Sequence, residues 1–212
     1  MPSEQVQFPS GGVLLEGVLD LPEPAGAAVP AVAVCHPHPL YGGDMRNDVV
    51  LRICRALIGR GIGALRFNFR GVGGSGGEHA GGHGERDDVW AALDCVRGRP
   101  EVDRSRLGLA GYSFGAAVAL NAGITAGIKA LAAVSAPPQM VDFTALQGFE
   151  FPLLLIAGDA DQFAPAGRLR QLAIATGPVT TVTIVPGAGH FWHGHGAELE
   201  QAVGGFFAAA LG

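Results

Sequence analysis

The 212-residue chain contains few charged residues, few aromatic side chains and few cysteines, and these shortages limit the classes of protein to which it can belong. Charged residues make up 16% of the sequence, below the typical value of about 25%, while hydrophobic residues make up 48%. This balance excludes a disordered chain and a long coiled coil, both of which need abundant charge. The length suits one packed domain, which we expect to span residues 1–212.

The chain also lacks a basic cluster and any long apolar run. Its 14 Lys and Arg are outnumbered by 19 Asp and Glu, so it offers no positive surface for nucleic acid, which we exclude as a partner. Mean hydropathy is +0.30, but Gly, Pro or a charge interrupts each apolar stretch before about 18 residues, so we expect no membrane span. Residues 1–8 resemble no signal peptide, which predicts a cytoplasmic location.

Only three cysteines occur, at positions 35, 54 and 95. An odd number cannot pair completely, and none of them has the Cys-x-x-Cys spacing of a redox or zinc motif. Each lies within an apolar segment. We therefore predict buried, reduced thiols.

The hydrophobic residues that are abundant follow an alternating strand and helix pattern. Segments 6–8 and 13–19, joined by a Gly-containing turn, predict a β-hairpin. Helical spacing then recurs between short, almost continuous apolar runs. This pattern predicts an α/β fold with a mostly parallel sheet, an N-terminal antiparallel hairpin and helices on both faces. The predicted strands cover residues 31–35, 64–69, 107–110, 130–135, 153–157 and 180–185.

In such sheets ligands bind beyond the carboxyl ends of the strands, and one motif there is typical of a nucleophile. Ser113 is the centre of a Gly-x-Ser-x-Gly motif with a strand before it and a helix after it, the pattern of a nucleophile elbow. The two glycines let strand and helix approach closely. Ser75 is the centre of a second match, but the residues at 78–84 that follow do not open a helix. We therefore favour Ser113.

A serine nucleophile needs a base and a group that orients the base, and both are expected later in the chain. After the strand at 153–157 come Asp159 and Asp161; we favour Asp161, which can turn back over the sheet edge, and assign Asp159 to the turn. After the strand at 180–185 comes His190, flanked by glycines that allow its ring to reach Ser113. His193 and His195 are the competing bases, and His193 also remains a candidate for the pocket lining.

Acyl transfer also needs hydrogen-bond donors for the developing oxyanion. One expected donor is the backbone N–H of Phe114, the residue after the nucleophile. The other should come from the loop after the strand at 31–35, where Pro37 and Pro39 have no N–H. His38 is the preferred second donor, with the N–H groups of Leu40 and Tyr41 as alternatives.

With these motifs in place the chain resembles an α/β-hydrolase over nearly its whole length. The stretch at 35–43, with Asn47 after it, is similar to the small bacterial serine hydrolases related to the dienelactone hydrolases, and the Gly-rich stretch at 70–76 resembles their loop after the fourth strand. Two departures stand out. Pro37 replaces the glycine that many members carry, and Ser113 replaces the cysteine nucleophile of dienelactone hydrolases proper.

The site is expected to be open, because residues 136–152 are too few for a helical cap domain. Aromatic and apolar side chains near the predicted site are candidates for the walls of a substrate pocket. The same aromatics could instead belong to the core. These candidates are Leu40, Tyr41, Phe143, Phe149, Phe163, Phe191 and Trp192.

The favoured function is a serine hydrolase that cleaves small carboxylic esters or thioesters through an acyl-enzyme, without a cofactor or a metal. An acyltransferase or a peptidase could use the same residues, and a non-catalytic binding module could use the same fold. The Gly-rich stretch at 71–76 matches a nucleotide-binding pattern, and His36, His38, His190, His193 and His195 could suggest a metal site. We rank these two alternatives lower, since no helix start is expected at Gly76 and a serine triad makes a metal redundant. The sequence leaves the oligomeric state open.

Overall fold

A computed structural model describes residues 3–23, 27–123, 125–142, 146 and 149–212. In these ranges the chain forms one eight-stranded sheet and five α-helices. The strands are β1 Ser3–Ser10, β2 Val13–Asp20, β3 Val29–Cys35, β4 Gly63–Phe67, β5 Val102–Tyr112, β6 Ala130–Val134, β7 Leu153–Gly158 and β8 Thr180–Val185. The helices are α1 Asp48–Ile58, α2 His83–Arg97, α3 Phe114–Gly123, α4 Ala166–Thr176 and α5 Gly196–Leu211.

The sheet has the strand order β1-β2-β4-β3-β5-β6-β7-β8. β1 and β2 form an antiparallel hairpin, β2 pairs antiparallel with β4, and all later pairings are parallel. Gly11 and Gly12 both have positive φ, +52° and +88°, as a two-residue type I′ hairpin turn requires. The predicted α/β fold is confirmed, although β5 begins at Val102, five residues before the predicted start.

Helices cover both faces of the sheet and give it two apolar layers. On one face α2 and α3 pack against the middle strands, with Phe67 and Leu93 almost fully buried. On the other face α1 and α5 pack together, with Ile53 and Phe207 fully buried. Burying a side chain of this size contributes about 2 kcal/mol, so the two layers fix the strands whose ends carry the polar residues discussed below.

The start of α2 differs from the prediction that residues 78–84 open no helix. α2 begins at His83, and Gly82 precedes it with a φ of +97°. The buried Glu85 carboxylate accepts hydrogen bonds from the N–H groups of Gly82 and Ala80, both at 2.8 Å. This side chain satisfies two donors at the helix start, which explains how a Gly-rich segment can begin a helix.

The cysteines are free, as predicted, but they are not equally buried. Burial raises the pKa of the Cys54 thiol to about 12 and raises that of Cys35 further, so both remain protonated. Cys95 is only half-buried, which corrects the prediction that all three are buried. Within the described ranges, no helix has both the length and the apolar character needed to cross a bilayer.

Candidate active site

Ser113 lies on a tight turn between β5 and α3 and has a φ of +54°, a strained value for a residue with a side chain. Its flanking glycines are required for steric reasons. A Cβ atom added to Gly111 would lie 2.3 Å from the carbonyl oxygen of Gly115, and one added to Gly115 would lie 2.4 Å from the carbonyl oxygen of His36. The close approach that we expected from the motif is therefore present.

The structure brings Ser113, His190 and Asp161 together in one hydrogen-bonded series. Ser113 Oγ lies 3.0 Å from His190 Nε2, and His190 Nδ1 lies 3.0 Å from both carboxylate oxygens of Asp161. Asp161 is 3% exposed and His190 is 9% exposed, while Ser113 is partly open to solvent. A buried carboxylate beside one ring nitrogen and a hydroxyl beside the other is the geometry of a serine nucleophile with its base.

Several donors surround the Asp161 carboxylate. Its Oδ1 accepts the backbone N–H groups of Phe163 and Ala164, both at 2.9 Å. Burial alone would raise the pKa of Asp161, but hydrogen bonds from His190, from Ser135 and from the Ala164 N–H outweigh it and hold this pKa below its ordinary value. The group therefore stays ionised near neutral pH.

Asp159 has a different role. It stabilises the contact between the loop after β7, which carries Asp161, and the loop after β8, which carries His190. Its Oδ1 accepts the N–H of Gly187 at 2.7 Å, as expected for a turn-forming aspartate. Gly158 is required here, because an added Cβ atom would lie 1.8 Å from the carbonyl oxygen of Ala188. The same carbonyl accepts the N–H of Ala160 at 3.1 Å, so the two loops form one unit.

The loop after β3 contains a 3₁₀ turn at Pro39–Tyr41. The N–H groups of Leu40 and Tyr41 already donate within this loop, to Nδ1 and the carbonyl oxygen of His38 at 3.3 and 3.1 Å. In the described part of the chain, the N–H groups of His38 and Phe114 have no such acceptor. Of the four candidate N–H groups, those of His38 and Phe114 are therefore the two without an acceptor in the described part of the chain.

The His38 and Phe114 side chains also meet, with ring centroids 4.8 Å apart. His79 completes the cluster at 5.0 Å from His38 and 5.4 Å from Phe114, and its Nδ1 lies 2.7 Å from a carboxylate oxygen of Glu85. Burial and the neighbouring His79 lower the pKa of His38, so its ring is neutral near pH 7. This packing braces the loop whose backbone faces the serine turn.

The candidate pocket walls divide into exposed residues and core residues. Phe163 and Phe191 are 53% and 62% exposed, and their rings lie 4.7 and 5.5 Å from that of His190. Leu40 and Tyr41 are exposed on the loop after β3. The prediction that Trp192 lines the pocket is wrong, because its side chain is 2% exposed and packs in the core beside α5.

A further candidate aromatic, Phe149, does not reach this surface in the structure. Phe149 is a core residue that packs with α3 and against the Phe151 ring at 4.8 Å, as the core alternative proposed. Phe143 lies outside the described residues. Phe163 and Phe191 are therefore the exposed candidate aromatics that lie beside His190 in the described part of the chain.

Ser75 and its glycines serve the fold. The buried Ser75 hydroxyl donates to the carbonyl oxygen of Asn68 at 2.7 Å and accepts the N–H of Glu16 at 3.0 Å. The Glu16 carboxylate accepts the N–H of Gly74 at 2.8 Å. A carboxylate therefore occupies the place where a nucleotide phosphate would have to bind, which argues against the nucleotide-binding alternative.

Three histidines of the metal hypothesis contact other side chains or backbone groups. His36 Nε2 accepts the N–H of Phe69 at 3.0 Å while Nδ1 donates to the Pro37 carbonyl oxygen, so both nitrogens are occupied. His195 Nδ1 lies 3.4 Å from the Glu198 carboxylate, and the His193 ring stacks on Phe191. Among the described residues, no three His, Cys, Asp or Glu side chains converge as metal ligands do.

Two residues at the site were not predicted from the sequence. The Tyr112 hydroxyl donates to the carbonyl oxygen of His190 at 3.0 Å, and the buried Ser135 helps to lower the pKa of Asp161. Both lie at the carboxyl ends of strands, β5 and β6, where the rule on ligand position directs attention. An isolated serine or tyrosine carries no motif, so that rule was the one available signal.

Comparison with known proteins places this geometry in a family. Residues 11–187 match the family model described as X-Pro dipeptidyl-peptidase (S15 family). An uncharacterized protein of Rickettsia prowazekii is 34% identical over 183 residues, which cover 82% of this chain and 76% of that relative.

Solved structures show the same fold. A lidless α/β serine hydrolase from Xanthomonas campestris is 34% identical, with a TM-score of 0.86 over 100% of this chain and 97% of its own. Est1E from Butyrivibrio proteoclasticus, solved with ferulic acid bound, is 18% identical with a TM-score of 0.86 over 97% and 98% of the two chains, which shows a shared fold alone. The chain thus belongs to the S15 family and has the fold of the α/β serine hydrolases that lack a lid.

Proposed function

We propose that the protein hydrolyses carboxylic esters or thioesters through an acyl-enzyme on Ser113. The observation that carries this proposal is the hydrogen-bonded series from the strained Ser113 through His190 to the ionised Asp161. An isolated serine hydroxyl is a poor nucleophile near neutral pH, and this series supplies the base that it needs.

In the first half of the reaction, Ser113 Oγ attacks the substrate carbonyl carbon while His190 Nε2 takes the hydroxyl proton. Asp161 holds the tautomer with its proton on Nδ1 and stabilises the imidazolium that forms. The N–H groups of Phe114 and His38 hold the oxyanion. The tetrahedral intermediate collapses, the bond to the leaving oxygen or sulfur breaks, and His190 returns the proton to that atom.

Water completes the cycle. His190 removes a proton from a water molecule as its oxygen attacks the acyl carbon, and the second tetrahedral intermediate expels Ser113 Oγ, which regains its proton. The products are a carboxylic acid and an alcohol or thiol. Each N–H donor to the oxyanion typically accelerates such steps by about 100-fold or more.

The surface beside His190 indicates an apolar leaving group. The proton donor to the leaving atom must lie next to that atom, so the leaving group must lie beside His190. Two exposed rings, Phe163 and Phe191, flank His190 there. We therefore infer that an aromatic or alkyl alcohol or thiol is preferred over a charged one.

Peptide hydrolysis is the second candidate, because the matched family model is described as an X-Pro dipeptidyl-peptidase. The same Ser113 and His190 chemistry can cleave an amide, although an amine leaves less readily than an alcohol and needs its proton earlier. The apolar surface beside His190 favours the ester over a charged peptide.

A panel with one acyl group tests the proposal. Butyryl oxygen ester, butyryl thioester and butyryl anilide should be compared by kcat/KM with an Ala-Pro anilide, using Ser113→Ala as the matched control. We expect the ester and thioester to be cleaved fastest, with Ser113→Ala inactive and a chelator without effect. A preference for the Ala-Pro anilide would replace the esterase by a peptidase, and no turnover by a folded protein would favour a binding module.

A further inference from the structure

The loop that carries His190 lies outside regular secondary structure and contains several glycines. It joins β8 to α5 over residues 186–195, and within it Gly187 has a φ of +77°. Glycine-containing backbone loses much conformational entropy when it is held in one arrangement. Such a loop can keep the His190 ring 3.0 Å from Ser113 Oγ only where other contacts hold its main chain.

Tyr112 holds the main chain of His190 directly. Its side chain is buried, with 2% exposure, and its hydroxyl donates to the carbonyl oxygen of His190 at 3.0 Å. The rings of the two residues lie 5.5 Å apart. Because Tyr112 immediately precedes Ser113, two consecutive residues of one turn contact His190, the tyrosine at its main chain and the serine at its ring. The nucleophile and the anchor of its base are therefore neighbours in the chain.

Asp159 holds the same loop three residues before His190. Its Oδ1 accepts the N–H of Gly187 at 2.7 Å, a bond strengthened by the charge of the carboxylate. Asp159 directly follows β7 and lies two residues before Asp161, whose carboxylate contacts the His190 ring. This second anchor therefore fixes the loop of His190 relative to the acid, as Tyr112 fixes it relative to the nucleophile.

We propose that Tyr112 and Asp159 are positioning residues, which hold the loop of His190 so that its ring stays within reach of Ser113. The inference rests on the proposed function. Both side chains act through the backbone of the loop and take no part in the bond changes of the reaction. When either anchor is lost, the loop spends time in positions where the base is out of reach, and the reactivity of Ser113 falls by that fraction.

Tyr112 acts as a neutral donor. Burial, and to a smaller extent the Asp161 carboxylate, raises the pKa of Tyr112, so its hydroxyl stays protonated in assays near neutral pH. Removing this hydroxyl changes no charge. A positional effect should therefore lower the reactivity of Ser113 by the same factor at pH 6, pH 7 and pH 8, whereas an effect on the titration of His190 would shift the pH profile.

The test measures two quantities in the full chain, the second-order rate at which a fluorophosphonate labels Ser113 and the hydrogen exchange of the backbone amides at 184–195. The variants are Tyr112→Phe, which removes the hydroxyl and keeps the ring, and Asp159→Ala, which removes the acceptor for the Gly187 N–H. Ser75→Ala is the matched control, because it removes another buried hydroxyl that donates to a backbone carbonyl oxygen, outside the loop of His190.

We expect Tyr112→Phe to slow labelling by about fivefold at each pH, and Asp159→Ala by about threefold because its bond is exposed to solvent. The amides at 184–195 should exchange faster by similar factors in both variants, since a loop that loses an anchor opens more often. Ser75→Ala should change neither the labelling rate nor the exchange of these amides.

Unchanged labelling in both folded variants would overturn the inference and leave the proposed function intact. Slower labelling without faster exchange at 184–195 would overturn it as well, since the loop would then be held without these side chains. An equal loss in Ser75→Ala would assign the effect to overall stability, and a shifted pH profile would assign it to titration; either result contradicts the inference. If one variant does not fold, the other decides. Absence of labelling in the wild-type protein would overturn the proposed function itself.

Discussion

Ser113 and Ser75 stand at the centre of the same Gly-x-Ser-x-Gly pattern, yet their surroundings differ in every respect. Ser113 follows β5, opens α3 and meets a histidine ring, with its backbone strained and its hydroxyl partly open to solvent. Ser75 is 7% exposed, and backbone groups saturate its hydroxyl on both sides.

The comparison shows that glycine is needed for a different steric reason at each of the two motifs. Around Ser113, Gly111 and Gly115 leave room for neighbouring backbone atoms, which occupy the space that a Cβ atom would need. Around Ser75, Gly73 and Gly74 make room for the Glu16 carboxylate, which lies 2.5 and 2.6 Å from their added Cβ atoms. One pattern therefore builds a reactive turn, and the other anchors a loop to β2.

The largest expected effect is the difference in catalytic activity between Ser113→Ala and Ser75→Ala. Ser113→Ala should lower kcat toward the substrate found with the ester panel by about a million-fold if the triad acts as a unit. Ser75→Ala should retain activity within a few-fold and lose about 1 to 3 kcal/mol of stability, because two buried polar groups lose their partner. Steady-state kinetics and urea unfolding measure the two effects. A loss of less than tenfold in Ser113→Ala would contradict the account.

A second contrast concerns the glycines. Gly115→Ala should destabilise the fold by more than about 3 kcal/mol, because the new methyl group meets the His36 and Cys35 carbonyl oxygens at 2.4 and 2.6 Å. Gly76→Ala should be tolerated within about 1 kcal/mol, because the nearest atom to its new methyl lies 3.6 Å away. Thermal unfolding of both variants checks this prediction, and equal effects would remove the distinction between the turns.

The buried His36 gives a prediction on how the stability of the fold depends on pH. Burial lowers the pKa of His36 to about 4, from an ordinary value of 6.5. The unfolded chain therefore takes up a proton first, so stability is full above about pH 6.5 and falls by roughly 3 kcal/mol as the pH approaches 4. Urea unfolding between pH 7 and pH 4 should show this slope, and His36→Gln should flatten it. The same slope in both proteins would refute the assignment to His36.

The smallest expected effect concerns the aromatic surface formed by Phe163 and Phe191 beside His190. Phe163→Ala should lower kcat/KM for a benzyl ester by about fivefold, since an aromatic contact contributes about 1 kcal/mol, and should leave a methyl ester of the same acid unchanged. An equal loss with both esters would show that Phe163 supports His190 and does not contact the leaving group.

Much of this arrangement is predictable from short-range patterns. The order of strands and helices follows from apolar runs and helical spacing, and the positions of Ser113, Asp161 and His190 follow from the ends of the strands. Their meeting in space is a consequence of parallel strands presenting their carboxyl ends at one edge of the sheet.

What the sequence did not predict depends on side-chain direction. Trp192 adjoins the exposed Phe191, but a φ of +59° turns its ring into the core. The start of α2 relies on Glu85 reaching back to two N–H groups, a contact that glycine content conceals. The effect of Ser135 on the pKa of Asp161 depends on β6 lying next to β7, and Asp161 follows the end of β7. No local sequence pattern reveals this neighbourhood.

The most direct test of the central claim is to treat the protein with a fluorophosphonate, measure its intact mass and map the adduct by peptide digestion. The account predicts one adduct per chain, on Ser113, with Ser75 unmodified. A folded protein that gains no adduct, or that carries it on Ser75, would contradict the claim that Ser113 is the activated nucleophile.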